Sequence, residues 1–410
     1  MGLNRRGKLL SAQLLFLYLA FALRLYRLGV QSLWADEGNS AAMVLRDFSS
    51  IALHAAADIH PPLYYWLLKL WAALAGTSEW GLRALSAFIG LLLVAVVYSL
   101  GKEFGGEKVA LVGMALAAFH PFQVYYAQEA RMYMLVAFLG ALSFWSAMRW
   151  WRKENLLAGA IFVLSTGMGL YAHYSFPVIL AVENLAFPIF LAASYFRKRI
   201  GVKGYVARWF LLQAIALAIY APWVPIALER LTSWPAIAEY GAYTALVEAL
   251  KALVFGPASR LPSALALIPV LLALAGSAIC WRNDWRAVAV LWAWLLAPVL
   301  MMLFLGLYRG AYLKFLLVSA PPLCLLLAIG LSNLRGRWSL VGAFSLTVVL
   351  MLFSAALRDF YFHFTKDDYR GIARYIEAVE RPGDAVILNA PGQIDVFRYY
   401  YRGKLSLIHI

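Results

Sequence analysis

Two adjacent carboxylates, Asp36 and Glu37, open the chemistry this sequence offers. They lie in QSLWADEGNS, directly after a long apolar segment. An acidic residue beside a bilayer is costly, about 2.5–3.5 kcal/mol for Asp at a helix centre on insertion scales, and it usually persists because a site needs it. Neighbouring residues face opposite ways on a strand and diverge by about 100° on a helix, so the pair need not share a role. One carboxylate can face a reacting group while the other holds backbone or a cation. The plainer alternative is that Asp36 caps the helix that GNSAAMVL begins.

Other candidates follow down the chain. His60 precedes Pro61 and Pro62, which pushes it toward extended geometry. The free N–H groups of the helix start behind it suit an anion, and a phosphate there would also meet the imidazole; an interfacial histidine in a turn is the competing reading. Glu129 and Tyr133 share a face on a continuous helix while Arg131 points away. Both charges serve one site only if the helix begins after Arg131. Arg309 and Lys314 flank a late apolar run and suit either an anionic ligand or snorkelling to an interface. His173 and Tyr174 form a weaker pair, since a lone histidine at a helix end is more often structural, and His120 carries no assigned role. There is no Gly-rich phosphate loop, Gly-x-Ser-x-Gly elbow or His-Glu-x-x-His pattern, so soluble nucleotides have no evident pocket. Cys280 and Cys324 sit in or at the edge of apolar runs and give neither a disulfide framework nor metal spacing.

The scaffold that must position these groups is a membrane protein. Of 410 residues, 63% are hydrophobic and 14% charged, with mean hydropathy +0.73; soluble domains run about 45–50% apolar and about 25% charged. The net charge of +15 does not indicate nucleic acid, because most Lys and Arg lie in short loops between apolar runs. Eleven spans are expected, roughly 9–28, 82–101, 109–122, 133–151, 156–172, 176–195, 207–227, 263–281, 287–307, 314–331 and 338–356. With the N-terminus in the cytoplasm, every second loop is basic: Arg5, Arg6 and Lys8; Lys102 and Lys108; Arg149, Arg152 and Lys153; Arg197, Lys198, Arg199 and Lys203; Arg282 and Arg286; Arg335 and Arg337. That is the positive-inside pattern. The acidic loop, the C-terminus and the candidate site then face outward from the plasma (inner) membrane. The first apolar run is read as an uncleaved helix rather than a signal peptide. Leu63 to Ala75 is too short to span, about 20 Å as a helix against a core of about 30 Å, and is expected to lie at the outer interface. A long loop from about 228 to 262, with Pro235, Pro257 and Pro262, is expected on the membrane surface. The chain divides into a membrane domain, 1–357, and a segment, 358–410, whose amphipathic helix, turn and strand begin a small α/β unit. The fold class is thus an all-α polytopic membrane protein with outer juxtamembrane helices and a short C-terminal α/β segment.

SLWADE, HPPLYYW, GLRALSAFIG and HPFQVYYAQEARMYML together resemble the integral-membrane glycosyltransferases of the protein-mannosyltransferase and aminoarabinose-transferase type, in the GT-C superfamily. The likeness covers most of residues 28–145, continues loosely through YAHY (171–174) and YRGAYLKFLLVSAPP (308–322), and includes DDYRGIARYIEAVERPGD (367–384). The resemblance implies a polyprenyl-phosphate sugar donor used on the outer face and a lipid, glycan or protein acceptor, with membrane lipids as surroundings. It puts Asp36 on the catalytic acidic position, Glu37 beside it and Glu129 on the second acidic position. His60, Arg131, Arg309 and Lys314 are expected at the donor phosphate, and Tyr64, Tyr133, His173, Tyr174 and Tyr308 around the substrate. Family members often have Arg-Tyr where this chain has Lys314-Phe315, and lysine offers a point charge but no bidentate fork. One carboxylate base and displacement at C1 predict inversion. No cofactor is required on this reading, though Glu129 is compatible with a divalent cation beside the phosphate. The competing classes are a transporter or flippase of lipid-linked sugars and a polymerase or ligase of lipid-linked glycans.

Overall fold

A computed structural model describes residues 5–198, 201–232, 238–334, 336–390 and 392–409. Of the expected features, Arg199, Pro235 and Arg335 lie outside the described residues. Each of the eleven apolar runs falls largely within helix. Among the described residues, seven helices are long and apolar enough to cross a membrane by length and composition, and Phe48–Ala57, Leu63–Ala75, Leu156–Ala172 and Pro177–Ala192 are shorter apolar helices.

Two long helices are bent at basic turns. Glu79–Phe119 breaks at Gly105 and Gly106, the latter at φ 78°, a conformation that glycine reaches without a Cβ penalty. The chain then folds back on itself: a Cβ on Gly101 would lie 2.6 Å from Ala110 Cα. Leu267–Phe304 bends at Asp284 between Arg282 and Arg286. It meets Ala320–Ser332 through Gly276 and Gly330, where a Cβ on Gly276 would fall 2.4 Å from Gly330 Cα. Small residues at such contacts let backbones approach where lipid supplies no hydrophobic drive between helices.

The acidic loop is held from beneath. Arg24, at the end of helix Arg5–Leu25, donates to the carbonyls of Ala20, Ala117 and Ala118 at 3.1–3.2 Å. It thereby caps the last turn of Glu79–Phe119, whose carbonyls are otherwise unpaired. The Gln128 side-chain amide donates to the carbonyls of Leu23, Arg24 and Tyr26 at 2.9–3.2 Å. The chain therefore leaves the first helix at a fixed place beside the 128–133 turn.

The surface segments correct two expectations. Asp36 is not a helix cap: Trp34 holds that position, and Asp36 and Glu37 lie in the first turn of helix Ala35–Val44, where negative side chains favour the helix dipole. The long loop after residue 228 is mostly helical, with Val224–Thr232 and Ala242–Phe255 at its ends. Helix Leu63–Ala75 begins directly after Pro62.

The C-terminal segment is a β-α-β unit. Helix Tyr369–Val379 leads to strand Ala385–Leu388, helix Gln393–Tyr400 and strand Ser406–His409. The strands pair in parallel, Ala385 with Ser406 through Leu388 with His409. Helix Gln393–Tyr400 rests on Ala35–Val44 so closely that a Cβ on Gly38 would sit 2.3 Å from Val396 Cβ. Ser32 Oγ donates to Asp367 O at 2.6 Å, and Leu33 N–H donates to Tyr400 Oη at 2.7 Å. This unit thus lies directly on the acidic loop.

Candidate active site

The two neighbouring carboxylates part company. Glu37 is fully buried, while the Asp36 side chain is 33% exposed. Arg83, from the helix below, clamps Glu37 from Nε and Nη2, each at 2.7 Å. Its remaining donors reach the carbonyls of Leu28, Gln31 and Ser32 at 2.8–2.9 Å. Glu37 Oε1 also accepts from Ala130 N–H at 3.0 Å. Burial works to raise the Glu37 carboxyl, but the Arg83 guanidinium outweighs it and holds the group below its ordinary value. Glu37 ties the acidic loop to the 128–133 turn and has no free face for a substrate.

Asp36 faces two other cations. Lys314 Nζ donates to Asp36 Oδ2 at 3.2 Å, and Arg131 Nε lies 3.9 Å from the same oxygen. Burial again acts upward, yet the charges of Arg131 and Lys314 bring the Asp36 carboxyl down to about 2. Arg131 reaches it because helix Tyr133–Lys153 starts only after that residue, the condition the spacing required. Its guanidinium also donates to Asp36 O and Tyr65 Oη, each at 3.1 Å. Lys314 lies in Gly310–Ser319, ten residues of 3₁₀ helix, a form that seldom runs beyond three or four residues. Its ammonium stands 4.9 Å over the Tyr133 ring.

A histidine pair borders this nest. The His60 and His173 rings are 5.5 Å apart, with Tyr133 and Phe315 beside them. Burial, aided by the Arg131 charge and opposed by Asp58, takes His60 down to about 4. Burial and the nearby His60 also push His173 well below its ordinary value. His173 Nδ1 accepts from Ser175 N–H at 3.0 Å and lies 2.8 Å from Ser175 Oγ. The neutral ring then carries its proton on Nε2, which is buried without a hydrogen-bond partner. His173, Tyr174 and Phe315 line a cavity of about 320 Å³ whose other walls are chiefly Leu231, Met301, Leu305 and Leu307.

Four expected residues have partners outside the Asp36 cluster. Arg309 pairs with Glu239 at 2.8 Å and stacks over Tyr312; no contact joins it to Asp36. Tyr308 Oη donates to Leu303 O, and Tyr64 Oη pairs with Ser86 Oγ at 3.0 Å. Tyr174 accepts from Trp223 Nε1 at 3.2 Å.

Residues 59–226 match the family described as dolichyl-phosphate-mannose-protein mannosyltransferase. Among solved structures, ArnT from Cupriavidus metallidurans in the apo state aligns at TM-score 0.66 and 16% identity, covering 96% of this chain and 85% of that one. The same protein bound to undecaprenyl phosphate aligns at TM-score 0.64 and 15% identity over the same shares. The chain has an ArnT-like GT-C fold. The Archaeoglobus fulgidus oligosaccharyltransferase, in complex with Zn and sulfate, shares the fold at TM-score 0.60 and 12% identity, over 97% of this chain and 62% of that one. No curated protein sequence matches the chain.

The structure adds a group that the sequence did not single out. Lys366, in the strap between the last long helix and the β-α-β unit, places Nζ 3.2 Å from Glu37 Oε2 and 3.4 Å from Glu129 Oε1, with only 8% of its side chain exposed. Its backbone N–H donates to Gln31 Oε1 at 2.6 Å. A lysine 329 positions from Glu37 leaves no local signal; its place depends on the strap's return across the acidic loop. Burial and the neighbouring Glu37 charge lift the Glu129 carboxyl above its ordinary value, with Lys366 pulling it down. Any divalent ion at Glu129 must displace this ammonium, and among the described residues no three His, Cys, Asp or Glu side chains group as metal ligands.

Lys366→Met leaves both carboxylates short of a cation, at an expected loss of about 1–3 kcal/mol in thermal unfolding of the detergent-solubilised protein. A carboxyl with a raised folded-state pKa is costly only once ionised, so the loss shrinks as pH falls through the Glu129 value. A pH-independent loss excludes Glu129 as the group Lys366 serves.

Proposed function

We propose that this chain moves a sugar from a polyprenyl-phosphate donor to an acceptor hydroxyl on the outer face of the membrane, with inversion at C1. The observation that carries the reading is a single reactive carboxylate, Asp36, set within 4 Å of both Arg131 and Lys314. The acceptor oxygen attacks C1 as the C1–O bond to phosphate breaks. The bond electrons leave with the polyprenyl phosphate, and the acceptor proton passes to Asp36. Arg131 and Lys314 stabilise the charge growing on the departing phosphate, the part a divalent cation would otherwise take. His173 Nε2–H offers an uncharged donor at the cavity wall. Glu37, with Arg83 and Lys366, positions the loop and touches no reacting atom. Arg309, engaged by Glu239, contributes less to donor binding than Lys314.

A carboxylate at about 2 is a weak base at neutral pH. The donor phosphate resolves this by competing for the same two cations: as Arg131 and Lys314 turn to it, Asp36 loses their attraction and its pKa rises. The base is therefore strengthened by the substrate it serves. Glu129, opposite Lys366, adds negative charge that favours the same rise.

The test is transfer by purified protein in detergent micelles, with a polyprenyl-phosphate hexose as donor and pH varied. A flippase has no product to form there. The acid limb of kcat, which reports the donor complex, is expected at higher pH than the limb of kcat/KM, which reports the free site. Both fall as pH drops because only ionised Asp36 takes a proton. Coincident limbs rule out the competition for Arg131 and Lys314, and absence of transfer from any polyprenyl-phosphate sugar rules out the reaction.

A further inference from the structure

Outside the reaction centre, arginines gather where the β-α-β unit meets the acidic-loop helix. One cavity, of about 600 Å³, is walled by Arg370, Arg374 and Arg402 with Glu79 and Glu377. A second, of about 540 Å³, is walled by Arg46, Arg398 and Arg402 with Asp395. They share Thr77, Tyr399 and Arg402 and so form one continuous groove. Each is large enough for a sugar-sized ligand, since small-molecule sites run from about 300 to 1,000 Å³.

Five guanidinium groups face three carboxylates here, an excess of two positive charges. Only Arg370 has an anionic partner, Glu79 at 2.7 Å. Among the described residues, Arg46, Arg374, Arg398 and Arg402 have no carboxylate within ion-pair distance. Unpaired arginines on a convex surface are simply solvated. These instead line a concavity between two rigid elements, and the Tyr399 and Tyr400 side chains are fixed in its wall by hydrogen bonds to Thr77 O and Glu79 Oε1. The planar fork of arginine matches phosphate oxygens two at a time, and a phosphomonoester carries about −1.5 to −2 charge at neutral pH, close to the surplus in the groove. Aromatic walls suit the apolar face of a sugar ring. Helix Ala35–Val44 runs from Asp36 toward the groove, and its far end, just before Arg46, lies about 12 Å along the axis from Asp36.

We propose that this groove is a second binding site, separate from the reaction centre, for a saccharide bearing a phosphate. The phosphate sits between Arg374 and Arg402, and the sugar lies against Tyr399. The ligand comes either as a soluble sugar phosphate or as the head of a phosphorylated glycolipid, and both present the same group to the same arginines.

The experiment uses the full chain in lipid nanodiscs. Hexose 6-phosphate, inorganic phosphate and free hexose are titrated by microscale thermophoresis, without donor and without turnover. Hexose 6-phosphate is expected to bind at least tenfold more tightly than phosphate, and free hexose not to bind. Affinity falls as salt rises, because the contacts are ionic and exposed. Arg374→Ala combined with Arg402→Ala lowers the affinity at least tenfold, while Asp36→Asn leaves it unchanged. Arginine modification by phenylglyoxal, mapped by mass spectrometry on the wild-type chain, gives a readout that needs no variant: bound hexose 6-phosphate protects Arg374 and Arg402. Nanodiscs containing a phosphorylated glycolipid, compared with discs of equal charge lacking the sugar, separate the sources: protection by the glycolipid alone makes it the ligand, and protection by the soluble compound in plain discs makes it the free sugar phosphate. Equal binding by the double variant, loss of binding in Asp36→Asn, or no protection in either arm overturns the site. Because no arm measures transfer, failure of the transferase reading leaves these outcomes intact.

Discussion

Asp36→Asn is expected to reduce sugar transfer by roughly 10²–10⁴-fold, the usual contribution of a general base, while leaving the fold and donor binding in place. The substitution keeps the size of the side chain and its place in the first turn of the helix, and an amide still accepts from Lys314 through its oxygen. What it removes is the charge and the proton acceptor. The Asp36 side chain is a third exposed and meets only Arg131 and Lys314, which keep Asp36 O, Tyr65 Oη and the Tyr133 ring as partners, so the scaffold stays intact. Steady-state transfer, thermal unfolding and donor binding measured on the same preparation separate these effects. Turnover within threefold of the wild type rules out Asp36 as the base. A fall in activity accompanied by an equal fall in folded protein points instead to a structural role.

Arg83→Met is expected to have the largest effect on stability. It deletes one partner of a fully buried ion pair and strands Glu37 with only Ala130 N–H and Lys366. Breaking such a pair from one side costs about 3–5 kcal/mol. It also strips partners from the carbonyls of Leu28, Gln31 and Ser32, which fix the turn into the acidic loop. Arg83→Lys is the sharper variant, because an ammonium restores the charge but cannot span five donors in one plane; an intermediate loss is expected. Thermal unfolding in a single detergent reads both. If Arg83→Met unfolds within a degree or two of the wild type, the clamp is not what holds the loop.

These two outcomes divide the neighbouring carboxylates, one for chemistry and one for architecture. Adjacency in the chain suggested that Asp36 and Glu37 need not share a role, but it did not say which was which. The first turn of the helix separates them, turning Glu37 toward Arg83 below and Asp36 toward Lys314 across the cleft. The helix start after Arg131 was likewise a stated condition rather than a reading, because no cap residue marks Met132 as the boundary. Arg309 shows the reverse case. A cation in the right loop looked like a phosphate ligand, yet Glu239, 70 positions away, occupies it.

The sequence by itself determined that this is a membrane protein and where its apolar runs fall; that Asp36 and Glu129 share a site was implied by the resemblance, and Arg131 joined them only on a condition about where a helix starts. Those features are local: hydropathy accumulates over consecutive residues, and an acidic residue beside a bilayer signals its own cost. Only the tertiary structure decided that Glu37 is consumed by Arg83, that His60 is buried beside His173, that Lys366 returns from the far end of the chain to bridge two carboxylates, and that five arginines line one groove. Each of these depends on which charges come within a few ångströms across hundreds of residues. Electrostatic energy falls with distance in space and is indifferent to separation along the chain.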